Sequence, residues 1–563
     1  MEILNTCCTL LFAALAVYLL ASTATRRERS TALAAATEID PPPSLPFRLT
    51  LWALILLFSL LRIYRFGSVP GGFNQDGAMA AVDALALARY GTDRFGTWLP
   101  AHFTAWGYGQ MSVLLSYCMV PFFWLFGMDA VTARLPMLLW SFGGMAAAYG
   151  LLRGLVSRRA ALMGLLFLAI CPWHFMQSRW ALDCNLFPHC FLIGLALLWH
   201  STRRPAALGW SMVFFALCMY SYGVAFIPVP LFLLGACALL RRGRWIRGGQ
   251  VFLCMLIYFG LSWPIYGTML INALGWETVE LPFVTLPFFP QSVRSGDLIF
   301  FSPQPWKQLR VNALALWNAG FYQGPDLPWN AIDGFGTVYR CTWPLGLLGL
   351  TLISLRSLRA SQPRQRLGYR LLLLFWVCAL VTGLCVDRVN VNRINILFYA
   401  NILAIVIGAH ALVQHRAWTG WPLLASSLLL AALFFHSYFG PWSERISGLF
   451  YQDFLQAVSC AADRDSDRIA ISPDAQYRGS RDVSEILTLF ELDIDAQYFQ
   501  GETDDPITYR ERFVYRNIAP EDFAAPRRDT VWVQKRADLP EDLPRGWQKQ
   551  DMGDYCVLWY DGG

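Results

Sequence analysis

The sequence predicts a polytopic α-helical membrane protein of about twelve spans plus juxtamembrane helices, with a small extracytoplasmic α/β domain at its C-terminal end. Three observations predict it. The 563 residues are 56% hydrophobic and only 15% charged, with a mean hydropathy of +0.39, whereas a soluble domain is about one quarter charged. The apolar residues fall into repeated runs close to the ~20 residues that cross a bilayer. After Pro441 the composition changes abruptly to that of a water-soluble domain.

The runs lie at 4–22, 49–66, 134–153, 159–172, 187–200, 207–222, 224–240, 247–268, 341–356, 369–386, 394–413 and 420–437, with a further one at 110–127. The run 4–22 is read as a retained span, because its arginines (Arg26, Arg27, Arg29) follow it, the reverse of a cleavable signal. Basic residues cluster at Arg26–Arg29, Arg153–Arg159, Arg203–Arg204, Arg241–Arg247 and Arg356–Arg370. Cytoplasmic loops collect Lys and Arg, so these five connections are expected inside. Parity then fails if 110–127 is a full crossing, so it is expected to lie along or dip into the outer leaflet; the alternative is an ordinary span with Arg158 and Arg159 outside. Both chain ends and the segments 67–133, 172–187, 269–340 and 387–393 fall outside, in a cell membrane. Residues 1–440 form the membrane module and 441–563 the outer domain.

The tail reads as an amphipathic helix at 446–463, a strand at 467–472, a helix at 481–492 and alternating strands at 530–535 and 555–560. It carries no Gly-rich phosphate loop and no histidine. Of the 14 cysteines, Cys460 and Cys556 are its only two. Spacing leaves open whether they pair. No metal-ligand spacing and no basic nucleic-acid footprint occurs anywhere in the chain, so neither cofactor, metal nor nucleic acid is expected.

Chemistry concentrates in the outer loops. The first opens with GGFNQDG at 71–77. Asp76 there follows a span directly, where a carboxylate can take a proton from an acceptor hydroxyl; it can equally cap the helix that follows. Asp93 and His102 lie farther along the same loop. The second loop, CPWHFMQSRWALDCN at 171–185, offers His174, Arg179, Asp183 and Asn185. Ionisable residues at such depth are functional by default, with a helical Arg179–Asp183 pair as the structural alternative. The segment DRVNVNRIN at 387–395 supplies Arg388, Asn392 and Arg393. Guanidinium forks suit phosphate oxygens; headgroup anchoring is the other reading. The aromatic segment 269–340 suits a groove for a lipid chain and a sugar, or an interfacial belt.

Taken in order, these motifs resemble the GT-C membrane glycosyltransferases, in particular the family 39-like proteins related to dolichyl-phosphate-mannose protein mannosyltransferases and to the aminoarabinose transferase of lipid A. The residues that carry the resemblance are NQDG at 74–77, the segment running from Ala84 to YGTDRFGTWLP at 90–100, ARLP at 133–136 with SRRA at 157–160, and SRWALDCNLFP at 178–188. It covers about 55–440. It implies transfer of a hexose or pentose from a polyprenyl-phosphate donor to a glycan, lipid or protein acceptor, with inversion. Asp76 inherits the role of base and Asp183 a place beside the site; Asp93, His102, Asn185 and Asn392 are candidate substrate contacts. Two departures stand out. Gly77 occupies the place of a family glutamate, and the family's Lys-Pro-Pro is replaced by GYGQ at 107–110. The phosphate contacts then fall to Arg179, Arg388 or Arg393. A lipid or polysaccharide transporter, and a polymerase or ligase using a lipid-diphosphate carrier, are the alternatives. The absence of repeated halves in the sequence weighs against the transporter.

Overall fold

The computed structural model describes residues 1–24, 45–105, 109–290, 299, 302–324, 326–473 and 482–562. Arg26, Arg27 and Arg29, the first residues of GYGQ, residue 481 of the expected tail helix and parts of 269–340 lie outside the described residues.

Nine helices among the described residues are long and apolar enough to cross a membrane. Each overlaps one of the expected runs. The run 159–172 is instead a pair, Arg158–Ile170 and Pro172–Arg179, bent by 66°. Two further runs form 16-residue helices, Leu45–Leu60 and Ala206–Ser221, which rise about 24 Å against the roughly 30 Å of a hydrocarbon core. The helix Asn395–His415 is the central post: 89% of its apolar window is buried, and it packs against Trp343–Arg359, Arg158–Ile170 and Pro363–Cys385. An N-terminal helix, Glu2–Ala24, leans on this group from one side.

The run 110–127 condenses to a 13-residue helix, Leu114–Phe126, about 20 Å long and too short to span. It lies beside the Gln75–Tyr90 helix of the first loop. Ser116 Oγ donates to Ala80 O at 2.8 Å, and Trp124 Nε1 donates to Ala88 O at 2.7 Å. Both contacts advance by the same number of residues on each helix, so the two run parallel.

The C-terminal part begins with two helices, Pro441–Leu449 and Gln452–Ala462. The expected single helix is broken at Tyr451, which has φ 56°. Five strands follow in the order Phe513–Tyr515, Arg468–Ile471, Thr530–Lys535, Tyr555–Tyr560 and Trp547–Met552. The first three are parallel and the last pairings antiparallel. Phe513–Tyr515 and Trp547–Met552 were not anticipated, since one is three residues long and the other is a polar edge. Cys460 and Cys556 are both free thiols; they donate to Gln550 Oε1 and Asp551 Oδ1 respectively.

This domain is seated on the first loop. Phe73 stacks on Phe490 with centroids 4.2 Å apart, and Phe73 N donates to Phe450 O at 2.7 Å. Arg89 and Tyr90 both bond Asp495, at 2.8 Å. Gln500 Nε2 donates to Arg94 O at 2.9 Å.

Candidate active site

The Gln75–Tyr90 helix starts where it does because Asn74 caps it. Asn74 Oδ1 accepts from Asp76 N at 3.0 Å. Asp76 is therefore not the cap. It sits half-buried in the first turn, where the helix dipole favours a carboxylate. Gly77 explains the missing glutamate. A Cβ at position 77 would lie 2.6 Å from Ala181 O, so only glycine lets the helix start this close to the second loop.

That close approach brings the two loops together. The turn Asp183–Asn185 packs on the Gln75–Tyr90 helix. On its other side, Asn395 Nδ2 donates to Cys184 O at 2.7 Å. Asn395 opens the central helix two residues after Arg393, so the end of the segment 387–393 is brought to the same place. A clasp holds that segment: Val391 N donates to Asp326 Oδ2 at 2.5 Å, Asn392 bonds Asn330, and Arg393 pairs with Asp387. Arg388 is exposed. The amide nitrogen of Asn185 and the amide oxygen of Asn395, both deeply buried, have no partner among the described residues.

Arg179 corrects a sequence expectation. It is fully buried, and every N–H is occupied. It donates to the carbonyls of Leu61, Arg62, Tyr64, Arg65 and Val69 and to Tyr438 Oη, at 2.5–3.1 Å. It has no donor left for a phosphate, and it makes no helical pair with Asp183. Arg134 donates to Phe66 O, Gly67 O and Gly72 O. Arg62 reaches back to Leu168 O, His174 O and Ser178 Oγ. Three buried guanidiniums thus shape the turn from 61 to 72 that delivers Asp76. Their acceptors are carbonyls supplied by the fold, so the role was invisible as a sequence motif. His174 is buried and links Arg62 to Tyr399 (2.9 Å), which bonds His189 (2.8 Å).

Asp93 and His102 lie away from this convergence. Asp93 Oδ1 accepts from Phe95 N and Thr97 N, both at 2.9 Å, closing its own turn; burial raises its pKa, against those N–H groups. His102 is buried with Nδ1 unpartnered, and desolvation lowers its pKa to about 4, so the ring is neutral. Sequence reasoning missed Asp83. It is fully buried and meets Arg94 at 2.6 Å, yet burial still pushes its carboxyl up to about 6. Among the described residues, no cluster of three His, Cys, Asp or Glu could hold a metal.

Comparison with known proteins bears on this arrangement. Residues 110–266 match the family model described as dolichyl-phosphate-mannose-protein mannosyltransferase. No curated protein matches by sequence. The crystal structure of ArnT from Cupriavidus metallidurans bound to undecaprenyl phosphate superposes with a TM-score of 0.51 at 12% identity, over 92% of this chain and 98% of that one. Its apo state gives 0.44 at 14%, covering 91% and 97%. The archaeal oligosaccharyltransferase AglB from Archaeoglobus fulgidus, in complex with an inhibitory peptide and a dolichol-phosphate, gives 0.44 at 11%, covering 79% and 64%. The chain is a multi-pass membrane protein with the GT-C fold, the architecture it shares with ArnT along almost its whole length.

Proposed function

We propose that this protein is a GT-C glycosyltransferase that moves a hexose or pentose from a polyprenyl-phosphate donor to an acceptor hydroxyl on the extracytoplasmic face. The observation that carries this reading is the convergence of three sequence-distant loops: Asp76 on its glycine-tight helix start, Asp183 and Asn185 against it, and the end of the segment that holds Arg388 and Arg393, where Asn395 bonds Cys184 O. The family-model match and the undecaprenyl phosphate bound by ArnT support the donor class.

In the proposed reaction the acceptor oxygen attacks the anomeric carbon and its proton passes to the Asp76 carboxylate. The bond from that carbon to the phosphate oxygen breaks, and polyprenyl phosphate leaves with the electron pair. Attack opposite the leaving group inverts the configuration. Arg388 and Arg393 stabilise the charge that develops on the phosphate. The site fits a carrier lipid because the convergence lies at the ends of membrane helices. The C-terminal domain seated above it would then be extracytoplasmic.

Asp76→Asn tests the reading. In reconstituted protein, transfer from a polyprenyl-phosphate sugar falls by about 10²–10⁴-fold, with elution volume and melting temperature unchanged. Wild-type turnover in a folded Asp76→Asn protein would refute the assignment.

A further inference from the structure

Between the first loop and the C-terminal domain lies a cavity of about 670 Å³, within the ~300–1,000 Å³ range of small-molecule sites. One wall is the Gln75–Tyr90 helix and the turn after it, through Met79, Arg94 and Phe95. Met79 is three residues after Asp76, and positions three apart share a helix face about 5–6 Å apart at Cβ. The cavity therefore borders the face of the helix that presents Asp76. The other wall belongs to the C-terminal domain. The Phe73–Phe490 stack, the Gln500–Arg94 bond and the Asp495 contacts hold the two walls together.

The lining mixes aromatic faces with oxygen acceptors. Phe95, Phe499 and Tyr515 contribute rings, while Glu485, Gln500 and Glu502 contribute carboxylates and an amide. A sugar ring has an apolar face of C–H groups and an edge of hydroxyls. It is held by aromatic stacking on the face and by oxygen acceptors at the edge. A lipid chain needs neither, and the groove between membrane helices lined by Phe12, Leu51, Met163 and Phe167 shows the contrasting, almost wholly apolar lining. A peptide added to the sheet would use the edge strand Phe513–Tyr515, which is only three residues long, too short to template a partner strand. Among the described lining residues, Asp482, Glu485 and Glu502 outnumber Arg94 and Arg510, and Arg94 is already paired with Asp83. That balance disfavours a phosphorylated ligand.

We propose that this cavity is the acceptor subsite and that it takes a neutral glycan, with room for roughly two sugar rings, one of whose hydroxyls reaches Asp76. The inference rests on the glycosyl-transfer reading above. The C-terminal domain is then a part of substrate recognition and supplies most of the subsite, with the first loop closing one wall.

Calorimetric titration of the purified full-length protein in nanodiscs tests it with three probe sets: manno-, gluco- and galacto-configured neutral disaccharides, mannose 6-phosphate, and short Ser/Thr peptides. At least one neutral disaccharide is expected to bind, and Phe499→Ala and Glu502→Ala each to weaken it tenfold or more. Glu502 is exposed, so its variant folds regardless of Phe499. Asp76→Asn is expected to bind the disaccharide like wild type while losing transfer. Failure of every disaccharide to bind, equal binding by both variants, or binding of only the phosphorylated sugar or the peptides overturns the subsite. Disaccharide binding that depends on Phe499 and Glu502, together with undiminished transfer by Asp76→Asn, leaves the subsite standing and removes the assigned base.

Discussion

Arg179→Lys separates a structural arginine from a phosphate-binding one. The guanidinium serves six acceptors, five of them backbone carbonyls of the turn between Leu61 and Val69. An ammonium group has three N–H donors at the end of a flexible stem. At least three acceptors lose their donor even with perfect placement of the lysine. A buried carbonyl left unsatisfied costs about 1–3 kcal/mol. Relaxation of the turn toward the interface recovers part of that, which leaves a net loss of about 3–5 kcal/mol. For a chain of 563 residues that lowers the melting temperature by on the order of 3–4 °C. The charge is retained, so a residue whose work was to attract phosphate would behave differently. Scanning fluorimetry in detergent gives the melting temperature, and a donor titration gives KM. The expected result is a drop of that size in melting temperature, with kcat falling because Asp76 is no longer held in place. A melting temperature within about 1 °C of wild type, accompanied by a tenfold rise in donor KM, would show that Arg179 contacts the donor and would refute the structural role.

Gly77→Glu, which restores the family residue, places a Cβ 2.6 Å from Ala181 O. The helix start must move, and displacement of about 1 Å at a catalytic group lowers turnover by roughly 10²-fold, read as kcat against donor. Arg388→Ala is expected to raise donor KM at least tenfold with the melting temperature unchanged, since the side chain is exposed. His102 adds a pH dependence. Its folded pKa of about 4 lies below the unfolded value, so the unfolded chain binds more protons between pH 6.5 and 4, and stability is lost as the pH falls through that window. Relative to His102→Leu, the wild type loses up to about 3 kcal/mol there, measured as the difference between their melting profiles. A constant difference from pH 6.5 to 4 would show that the ring is not buried neutral.

The linear pattern of residues determined how many apolar runs the chain has and pointed to 110–127 as the run that fits a full crossing least. Each of those follows from counting apolar residues and charges along the chain, because lipid admits only helices of a certain length. The sequence also singled out Asp76, Asp183 and the segment from Asp387 to Arg393, because charged and amide side chains at the ends of spans are rare without a use. It could not say which of the charged residues face one another. Arg179 and Arg388 look alike as letters. One is exhausted by carbonyls of a turn over a hundred residues away, and the other stands in solvent. Asp83 and Arg94 look like surface charges of a loop and are a buried pair. The glycine at 77 reads as a loss of an acid until Ala181 O is found against it. The tail, legible only as a separate α/β unit, proves to share a cavity wall with the helix of Asp76. Spans are set by local composition, which a sequence carries residue by residue. Sites are set by contacts between segments far apart in the chain, and only the packing of the helices decides which segments meet.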